Sequence, residues 1–279
     1  MVEKGAGIDR IVSELLINRG FDFAGYRPDM LERRIQKRID ETRTNSVIHY
    51  LEFLRNNECE WDSLIDVLTI NVSQFFRDVV PFEFLAKKIL PEYLLQRSTD
   101  KNNNLRIWSA GCATGEEPYT MSIILNEWFQ KNKMAITASI FATDIDQKAL
   151  QKAQEGKFTL QQIEKVRFGL VQKYFSEEEE WFIVDQTVKE MVNFSSFDLL
   201  TTQNYSPPDS IYGAFDIVLC RNVLIYFNKK YQKNIFNKLY KSLNINGYLI
   251  LGESETIPDE YVHWFKRENS CVKIFKKIK

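Results

Sequence analysis

Histidine is nearly absent from this chain: among 279 residues only His49 and His263 occur. Two isolated imidazoles are too few for a zinc site or a histidine-based hydrolytic triad, so no metal is expected. The four cysteines (Cys59, Cys112, Cys220, Cys271) are widely spaced and form no Cys-x-x-Cys pair. That usage reads as reduced thiols in a cytoplasmic protein. No apolar run approaches the roughly 18 residues needed to cross a bilayer, and the amino terminus has no signal-peptide h-region. An excess of one charge is also missing. With 37 basic and 38 acidic side chains the formal net charge is -1, which argues against a general nucleic-acid binder. What remains is an ordinary globular composition, 44% hydrophobic and 27% charged. The length allows one large domain, or one plus a small helical one.

One stretch organises the rest: Leu105-Arg-Ile-Trp-Ser-Ala-Gly-Cys-Ala-Thr-Gly-Glu-Glu-Pro-Tyr119. A short β-prone run meets two glycines and then a helix opening at Glu116-Glu117-Pro118, with acids in the first turn and proline near its start. Strand, glycine turn and helix open an α/β nucleotide-binding sheet, with the ligand at the strand's carboxyl end. Gly111 and Gly115 are expected to remove Cβ atoms that would block a ligand across the turn. The alternative is a turn that only packs helix on strand. There is no Gly-Lys-Ser/Thr and no dinucleotide fingerprint, and Glu116 and Glu117 would repel a pyrophosphate. An amino group, a sulfonium and ribose hydroxyls suit this electrostatics, and S-adenosylmethionine carries all three.

Residues 1–98 read as a helical amino-terminal domain with a linker, and 99–279 as the α/β domain. Within the first, Met30 to Thr42 has Leu31, Ile35 and Ile39 at four-residue spacing, with Arg33, Arg34, Lys37 and Arg38 filling much of the remainder. This face is either solvated or a dock for an acidic partner. Thr69 to Asp78 is polar and aromatic at once, which suits a segment folded over a ligand pocket. Phe82 to Leu95 is one helix, with Pro91 near its end, and Ser98 to Asn104 is linker-like. Beyond Leu105, strands and helices alternate as in a parallel sheet. Ile140 to Asp144 is a strand ending in an acid placed either to cap the next helix or to accept from ribose hydroxyls. Residues 156–193 interrupt the alternation as a small β insertion, with a hairpin-like turn at Asp185-Gln186. Val192 to Ser196 is the third main strand. After it, Asp198 stands where it could bond an adenine amino group, with Phe197 and Leu199 around the ring. Phe215 to Phe227 is the most apolar run and supplies the central strand, ending in Cys220-Arg221-Asn222. An arginine at that edge needs a carboxylate partner or water. Gly247 to Gly252 and Cys271 to Phe275 are further strands.

With these pieces in place, the sequence resembles the CheR family of chemotaxis receptor methyltransferases. The resemblance rests on Asn71-Val-Ser-Gln-Phe-Phe-Arg77, Trp108 to Tyr119, Ala142-Thr-Asp-Ile-Asp146 and Cys220-Arg-Asn-Val-Leu-Ile-Tyr-Phe227. It implies a Rossmann-like class I S-adenosylmethionine-dependent methyltransferase sheet, with an all-helical amino-terminal domain and a small antiparallel β insertion. It implies methyl transfer from S-adenosylmethionine to receptor glutamates, giving γ-glutamyl methyl esters and S-adenosylhomocysteine. Carried over by motif, Asn71, Ser73 and Arg77 meet the cofactor's methionine end, and Ala110 and Gly111 line the turn. Glu116 holds the amino group, Asp144 the ribose, Asp198 and Leu199 the adenine. Arg221 and Tyr226 face the substrate carboxylate, and Arg221 and Asn222 also border the cofactor. The basic helix from Met30 to Thr42 would lie on acidic cytoplasmic receptor helices. The protein would be a monomer that reaches the membrane only through its receptor.

A glutamate with a pKa of about 4.3 is already ionised at neutral pH, so the implied reaction needs no general base. That agrees with the scarcity of histidine. Two departures stand out. Ser73 replaces the family's more frequent threonine and keeps the hydroxyl. The insertion is glycine-free from Tyr174 to Asn193, whereas relatives that tether a receptor's carboxyl-terminal pentapeptide usually carry a glycine-containing loop there. Two other readings stay open: a cofactor-binding docking protein with little turnover, and a methyltransferase of nucleic acid or a small molecule. Against the latter, Cys220-Arg-Asn-Val stands where amino-directed adenine methylases have Asp/Asn-Pro-Pro-Tyr/Phe.

Overall fold

The computed structural model describes residues 2–97, 104–133, 136–201, 204–210 and 213–279, with 2–5, 96 and 97 as backbone alone. Two compact units emerge: residues up to Asn71 together with Ile225–Lys233, and Val72–Leu224 together with Asn234–Lys279. The sequence suggested a division near residue 98, in a run whose residues 98–103 lie outside the described ones. The units divide after Asn71 because the helices that follow bury Phe82, Leu85, Ile89 and Leu94 in the core of the second unit.

The first unit holds α1 (Val2–Arg19), α2 (Pro28–Glu41), α3 (Val47–Asn56) and α4 (Glu58–Leu68). Pro28 opens α2, where a missing N–H costs nothing. The expected stripe of Leu31, Ile35 and Ile39 is buried, as are Val47, Tyr50, Leu51 and Leu54 on α3. Ser46 caps α3 by accepting from the His49 N–H at 3.3 Å. Among these apolar faces sits a polar knot. Arg38 forks onto Glu60, Nε to Oε1 at 2.9 Å and Nη2 to Oε2 at 2.7 Å, and the Tyr50 hydroxyl donates to Oε1 at 2.7 Å. The hydrogen bonds to Glu60 raise the Arg38 pKa, and burial raises that of Tyr50. The second piece of this unit adds an antiparallel bridge between Tyr26 and Phe227. Around it, Arg27 N–H donates to Tyr226 O at 2.9 Å and Asn228 N–H to Gly25 O at 2.9 Å.

The second unit begins with α5 (Val79–Phe84), a π-helical turn (Leu85–Ile89) and α6 (Leu90–Arg97), where the sequence suggested one helix. Pro91 supplies the reason: it lacks an N–H and would crowd the carbonyl four residues back, and the wider turn relieves both. Then come β1 (Asn104–Ala110), α7 (Glu116–Asn132), β2 (Thr137–Asp144) and α8 (Gln147–Glu155). The insertion comprises β3 (Lys157–Phe158), α9 (Leu160–Ile163), α10 (Phe168–Tyr174), β4 (Phe175–Glu178), β5 (Trp181–Val184) and α11 (Gln186–Lys189). The main sheet resumes with β6 (Val192–Ser196) and β7 (Phe215–Cys220), then α12 (Lys229–Ser242), β8 (Leu243–Leu251), β9 (Phe265–Arg267) and β10 (Ile274–Lys277).

The seven-stranded order is β6-β2-β1-β7-β8-β10-β9. The first five strands are parallel; β10 and β9 are antiparallel additions at one edge. β7 is central and buried at every residue, as its apolar run required. The chain winds outward from β1 in one direction and resumes at β7 in the other. The carboxyl ends of β1 and β7 therefore flank the topological switch point, where open α/β sheets bind ligands. Two edge details differ from expectation. The last strand starts at Ile274 rather than Cys271, and the three-residue β9 is too short to leave a sequence signal.

The insertion is a three-stranded antiparallel sheet, β3-β5-β4. Its hairpin turns at Glu179-Glu180, between paired Glu178 and Trp181, and not at Asp185-Gln186. Asp185 instead caps α11, accepting from the Thr187 N–H at 2.9 Å. An Asp directly before a short amphipathic stretch reads equally as turn or cap, and here the cap prevails. The insertion packs on α7 around Phe75, whose ring lies 4.8 Å from Phe158 and 5.3 Å from Phe175.

The polar knot yields a stability prediction. Arg38→Ala leaves a buried Glu60 carboxylate without its cation and should cost about 3 kcal/mol. Arg33→Ala on the exposed face of α2 should stay within about 0.5 kcal/mol. Urea midpoints of the two variants check the contrast.

Candidate cofactor and active site

The switch point is built from three carboxyl-terminal strand ends and the segment that enters the second unit. β1 runs into Gly111 (φ 75°), Cys112, Ala113 (φ 48°) and Gly115 (φ 96°) before α7 begins. A Cβ on Gly111 would lie 2.5 Å from Val223 Cγ2, and one on Gly115 would lie 2.9 Å from Ala153 Cβ. These glycines are therefore required by positive φ and by close packing within the protein. The expectation that they clear space for a ligand gives way to that reason.

Glu116, the first residue of α7, is fully buried. Its carboxylate accepts from Thr114 Oγ1 at 2.9 and 2.8 Å, from Gln162 Nε2 at 2.7 Å and from the Ser73 hydroxyl. Burial raises its pKa against these hydrogen bonds. Asp144, at the end of β2, accepts from Ala113 N–H at 2.8 Å and Asp146 N–H at 3.0 Å, one bond per oxygen. Burial raises its pKa as well. The helix-cap role falls to Asp146, which accepts from Lys148 N–H at 2.9 Å and Ala149 N–H at 3.2 Å. Asp144 thus keeps a lone pair on each oxygen beyond these two bonds.

Arg221 follows the last residue of β7 with its side chain 2% exposed. Its Nη2 donates to Arg77 O at 2.8 Å and Asp78 Oδ2 at 2.9 Å, and its Nη1 to Glu117 Oε2 at 3.3 Å. The guanidinium also stacks 4.7 Å from the Phe82 ring centre. Glu117 accepts from Ser109 Oγ at 2.8 Å, and burial raises its pKa against the Arg221 charge. Arg221 therefore finds the carboxylate partner that the sequence demanded inside the protein. Its Nε, by contrast, is buried with no hydrogen-bond partner, and so is Oδ1 of Asn222. Two neighbouring residues at one strand end thus present an orphaned donor and an orphaned acceptor, each costing about 1–3 kcal/mol unless a ligand completes it.

Glu255, which the sequence reading passed over, locks this strand end. Its Oε2 accepts from Gly252 N–H at 2.7 Å and Asn222 N–H at 3.0 Å, and its Oε1 from Val223 N–H at 2.8 Å and Leu224 N–H at 2.7 Å. Four converging N–H donors suit an acceptor-only group. The signal available was a carboxylate a few residues beyond a strand, too common to single out. Gln162, and the pairing of Glu117 and Asp78 with Arg221, escaped notice because the partners are distant in sequence.

Residues 71–274 match the family model described as CheR methyltransferase, SAM binding domain. Residues 6–69 match the one described as CheR methyltransferase, all-alpha domain. The chain belongs to the CheR methyltransferase family. It is 32% identical over 253 residues to the chemotaxis protein methyltransferase of Borreliella burgdorferi, covering 90% of this chain and 88% of that one. It is 32% identical over 253 residues to the Salmonella typhimurium protein of the same name, covering 88% and 82%. The Escherichia coli K12 counterpart is 31% identical over 253 residues, covering 88% and 83%. The larger domain of a CheR methyltransferase is thus one that binds S-adenosylmethionine, and the residues at the switch point fit that ligand. A buried carboxylate, a half-buried one and two orphaned polar atoms offer partners to a cation, to hydroxyls and to polar edges.

The remaining residues singled out from sequence divide between the units. Ser73 reaches Glu116, while Arg77 Nη1 donates to Val72 O at 3.2 Å and its carbonyl accepts from Arg221. Ala110 is buried at the end of β1. Asp198 accepts from Leu200 N–H at 2.8 Å in the turn after β6, and Leu199 is buried beside it. Phe197 is turned into the core, edge-on to Trp108 at 5.8 Å and 4.7 Å from Lys238 Nζ, so it cannot flank an adenine as expected. Asn71 and Tyr226 belong to the first unit. There Asn71 Nδ2 donates to Thr69 Oγ1 at 3.5 Å, and Tyr226 sits in the 3₁₀ turn Leu224–Tyr226. Also in the first unit, the four cations of α2 separate into two kinds. Arg38 is committed to Glu60, and Arg34 donates to the Val67 carbonyl, with burial lowering its pKa. Arg33 and Lys37 are exposed. Among the described residues no helix is long and apolar enough to cross a membrane, and no cluster of His, Cys, Asp and Glu could hold a metal ion.

Two predictions follow from these geometries. Glu255→Gln presents an amide NH₂ to converging N–H donors and should destabilise the protein by about 1–3 kcal/mol, read as a lowered thermal midpoint. The second concerns pH. Burial raises the Glu116 pKa, so its hold on a ligand cation should weaken as pH falls, and sooner than for an ordinary carboxylate. Asp144 titrates in the same direction. The part of the slope that disappears in Glu116→Gln, measured by calorimetric titration with S-adenosylhomocysteine, isolates Glu116.

Proposed function

We propose that the chain transfers a methyl group from S-adenosylmethionine to glutamate carboxylates on the signalling helices of chemotaxis receptors, forming γ-glutamyl methyl esters. The observation that carries this reading is the pair of orphaned atoms at the end of β7, Arg221 Nε and Asn222 Oδ1, in a family of methyltransferases. When bound, the cofactor supplies a methyl group activated by its sulfonium. Glu116 would hold the ammonium, Asp144 the ribose, and Asp198 with Leu199 the adenine, while Asn71, Ser73 and Arg77 border the methionine end. Asn222 offers Oδ1, and Arg221 offers Nε, while Nη2 is committed through two bonds and Nη1 through one.

A substrate glutamate needs no base, being ionised well below neutral pH. This suits a switch point whose loops carry no histidine: His49 lies on α3, and His263 in the turn Asp259–Trp264. The carboxylate and the cationic donor lose charge together as they react, so burial favours the step. The protein's contribution is then mainly in-line positioning. A single donor from Arg221 would orient the carboxylate without quenching it, and Tyr226 is carried over by motif as a second residue for that task. On α2, Arg33 and Lys37 are the exposed cations that would meet acidic receptor helices, Lys37 exchanging its 3.6 Å pairing with Glu41. The hairpin, glycine-free from Tyr174 to Asn193, turns on Glu179-Glu180, so pentapeptide tethering is not part of this proposal.

The test is incubation of pure protein with methyl-labelled S-adenosylmethionine and receptor-bearing membranes, followed by mild base. Volatile methanol is expected, reduced about tenfold or more in Tyr226→Phe. Arg33→Glu with Lys37→Glu should raise the KM for receptor at low salt and leave that for cofactor unchanged. Cofactor binding with no base-labile label on any receptor would sink the glutamate reading in favour of a docking protein.

A further inference from the structure

Gln162 lies in the insertion, at the third position of α9, and touches three separate parts of the fold. Its Oε1 accepts from Thr159 N–H at 2.9 Å and Thr159 Oγ1 at 3.0 Å, closing a capping box. Its Nε2 donates to Glu116 Oε1 at 2.7 Å. Its carbonyl accepts from Phe75 N–H at 3.1 Å, within the segment that carries Ser73 and Arg77.

The capping box decides which way round the amide lies. With the oxygen committed to two Thr159 donors, the NH₂ group must face Glu116. The other donors to Glu116 are its own backbone N–H and the hydroxyls of Thr114 and Ser73, which rotate and can turn to other acceptors. Among the side-chain donors, Gln162 is the one whose direction is set by a second bond. A buried carboxylate that must stay ionised and aimed at a ligand cation depends most on such a donor.

We propose that Gln162 is a positioning residue for the amino-acid end of the cofactor, which makes the β insertion a structural part of the cofactor site. The inference rests on the reading that Glu116 holds the cofactor's ammonium. It gives the insertion a role before any receptor is present: it orients Glu116 and, through Phe75, anchors the segment beside it. Displacement of α9 would register as a change in cofactor affinity.

The test compares two ligands by calorimetric titration: S-adenosylhomocysteine, which has the amino-acid end, and 5′-methylthioadenosine, which shares the nucleoside and lacks that end. Gln162→Leu is expected to weaken S-adenosylhomocysteine about tenfold and to leave 5′-methylthioadenosine within about twofold of wild type. Thr159→Ala breaks the capping box while keeping the amide, and should change both ligands by less than about threefold. Equal loss for both ligands in Gln162→Leu, or equal loss for both in Thr159→Ala, would reduce Gln162 to a helix-stabilising residue and overturn the proposal. Unchanged S-adenosylhomocysteine binding in Gln162→Leu would overturn it too. If the wild-type protein binds neither ligand, the cofactor reading itself fails and takes this inference with it.

Discussion

A guanidinium with almost no access to solvent is the constraint on which the second unit's ligand crevice depends. Arg221 cannot be left unpaired at the end of a fully buried strand, and the protein brings Asp78, Glu117 and the Arg77 carbonyl to it. The partners come from two elements, so satisfying one charge fixes the start of α7 and the segment before α5 together. The pairs are expensive to desolvate and contribute little net stability, but removing one partner would strand the others. Their value is registry. The two faces of the switch point are held in one arrangement by a charge that tolerates no other.

The crevice also concentrates backbone strain. Phe76, Asp78, Ala113 and Asn222 are non-glycine residues with positive φ, between 48° and 59°. Each costs on the order of 1–2 kcal/mol relative to an ordinary conformation. Such positions persist where surrounding contacts over-determine them, and here those contacts are identifiable. Phe76 N–H donates to Thr120 Oγ1 at 3.1 Å, Ala113 N–H to Asp144, and Asn222 N–H to Glu255. Strain and orphaned polar atoms in one place describe a site shaped for something other than its own stability.

Much of this was legible in the sequence. The glycine turn, the central apolar strand, the acids at the ends of β1's helix and of β2, and the family motifs all announce themselves locally, because strand and helix periodicities are short-range. Misreadings arose where a residue's role is decided by a distant partner. Four arginine and lysine side chains on α2 look alike in sequence, yet Glu60 claims Arg38 and the Val67 carbonyl claims Arg34. The carboxylates that pair with Arg221 could not be named from sequence, because they lie more than a hundred residues away along the chain. Phe197 looked like an adenine wall because nothing local says that it faces Trp108. Glu255 and Gln162 carried no signal, since a capping glutamine and a loop glutamate are commonplace until their partners are known.

The missing Cβ of Gly111 has a consequence for how this chain can change. Val223 occupies the space that any side chain at position 111 would need, approaching to 2.5 Å. The loop after β1 and the loop after β7 are therefore interlocked like a tongue and its groove, though they lie far apart in the chain. A chimaera of two relatives joined anywhere between them inherits one half of the fit from each parent. Such hybrids should succeed only when both parents share the same pairing of small and branched residues, so these two positions mark a unit of exchange that the order of residues along the chain conceals.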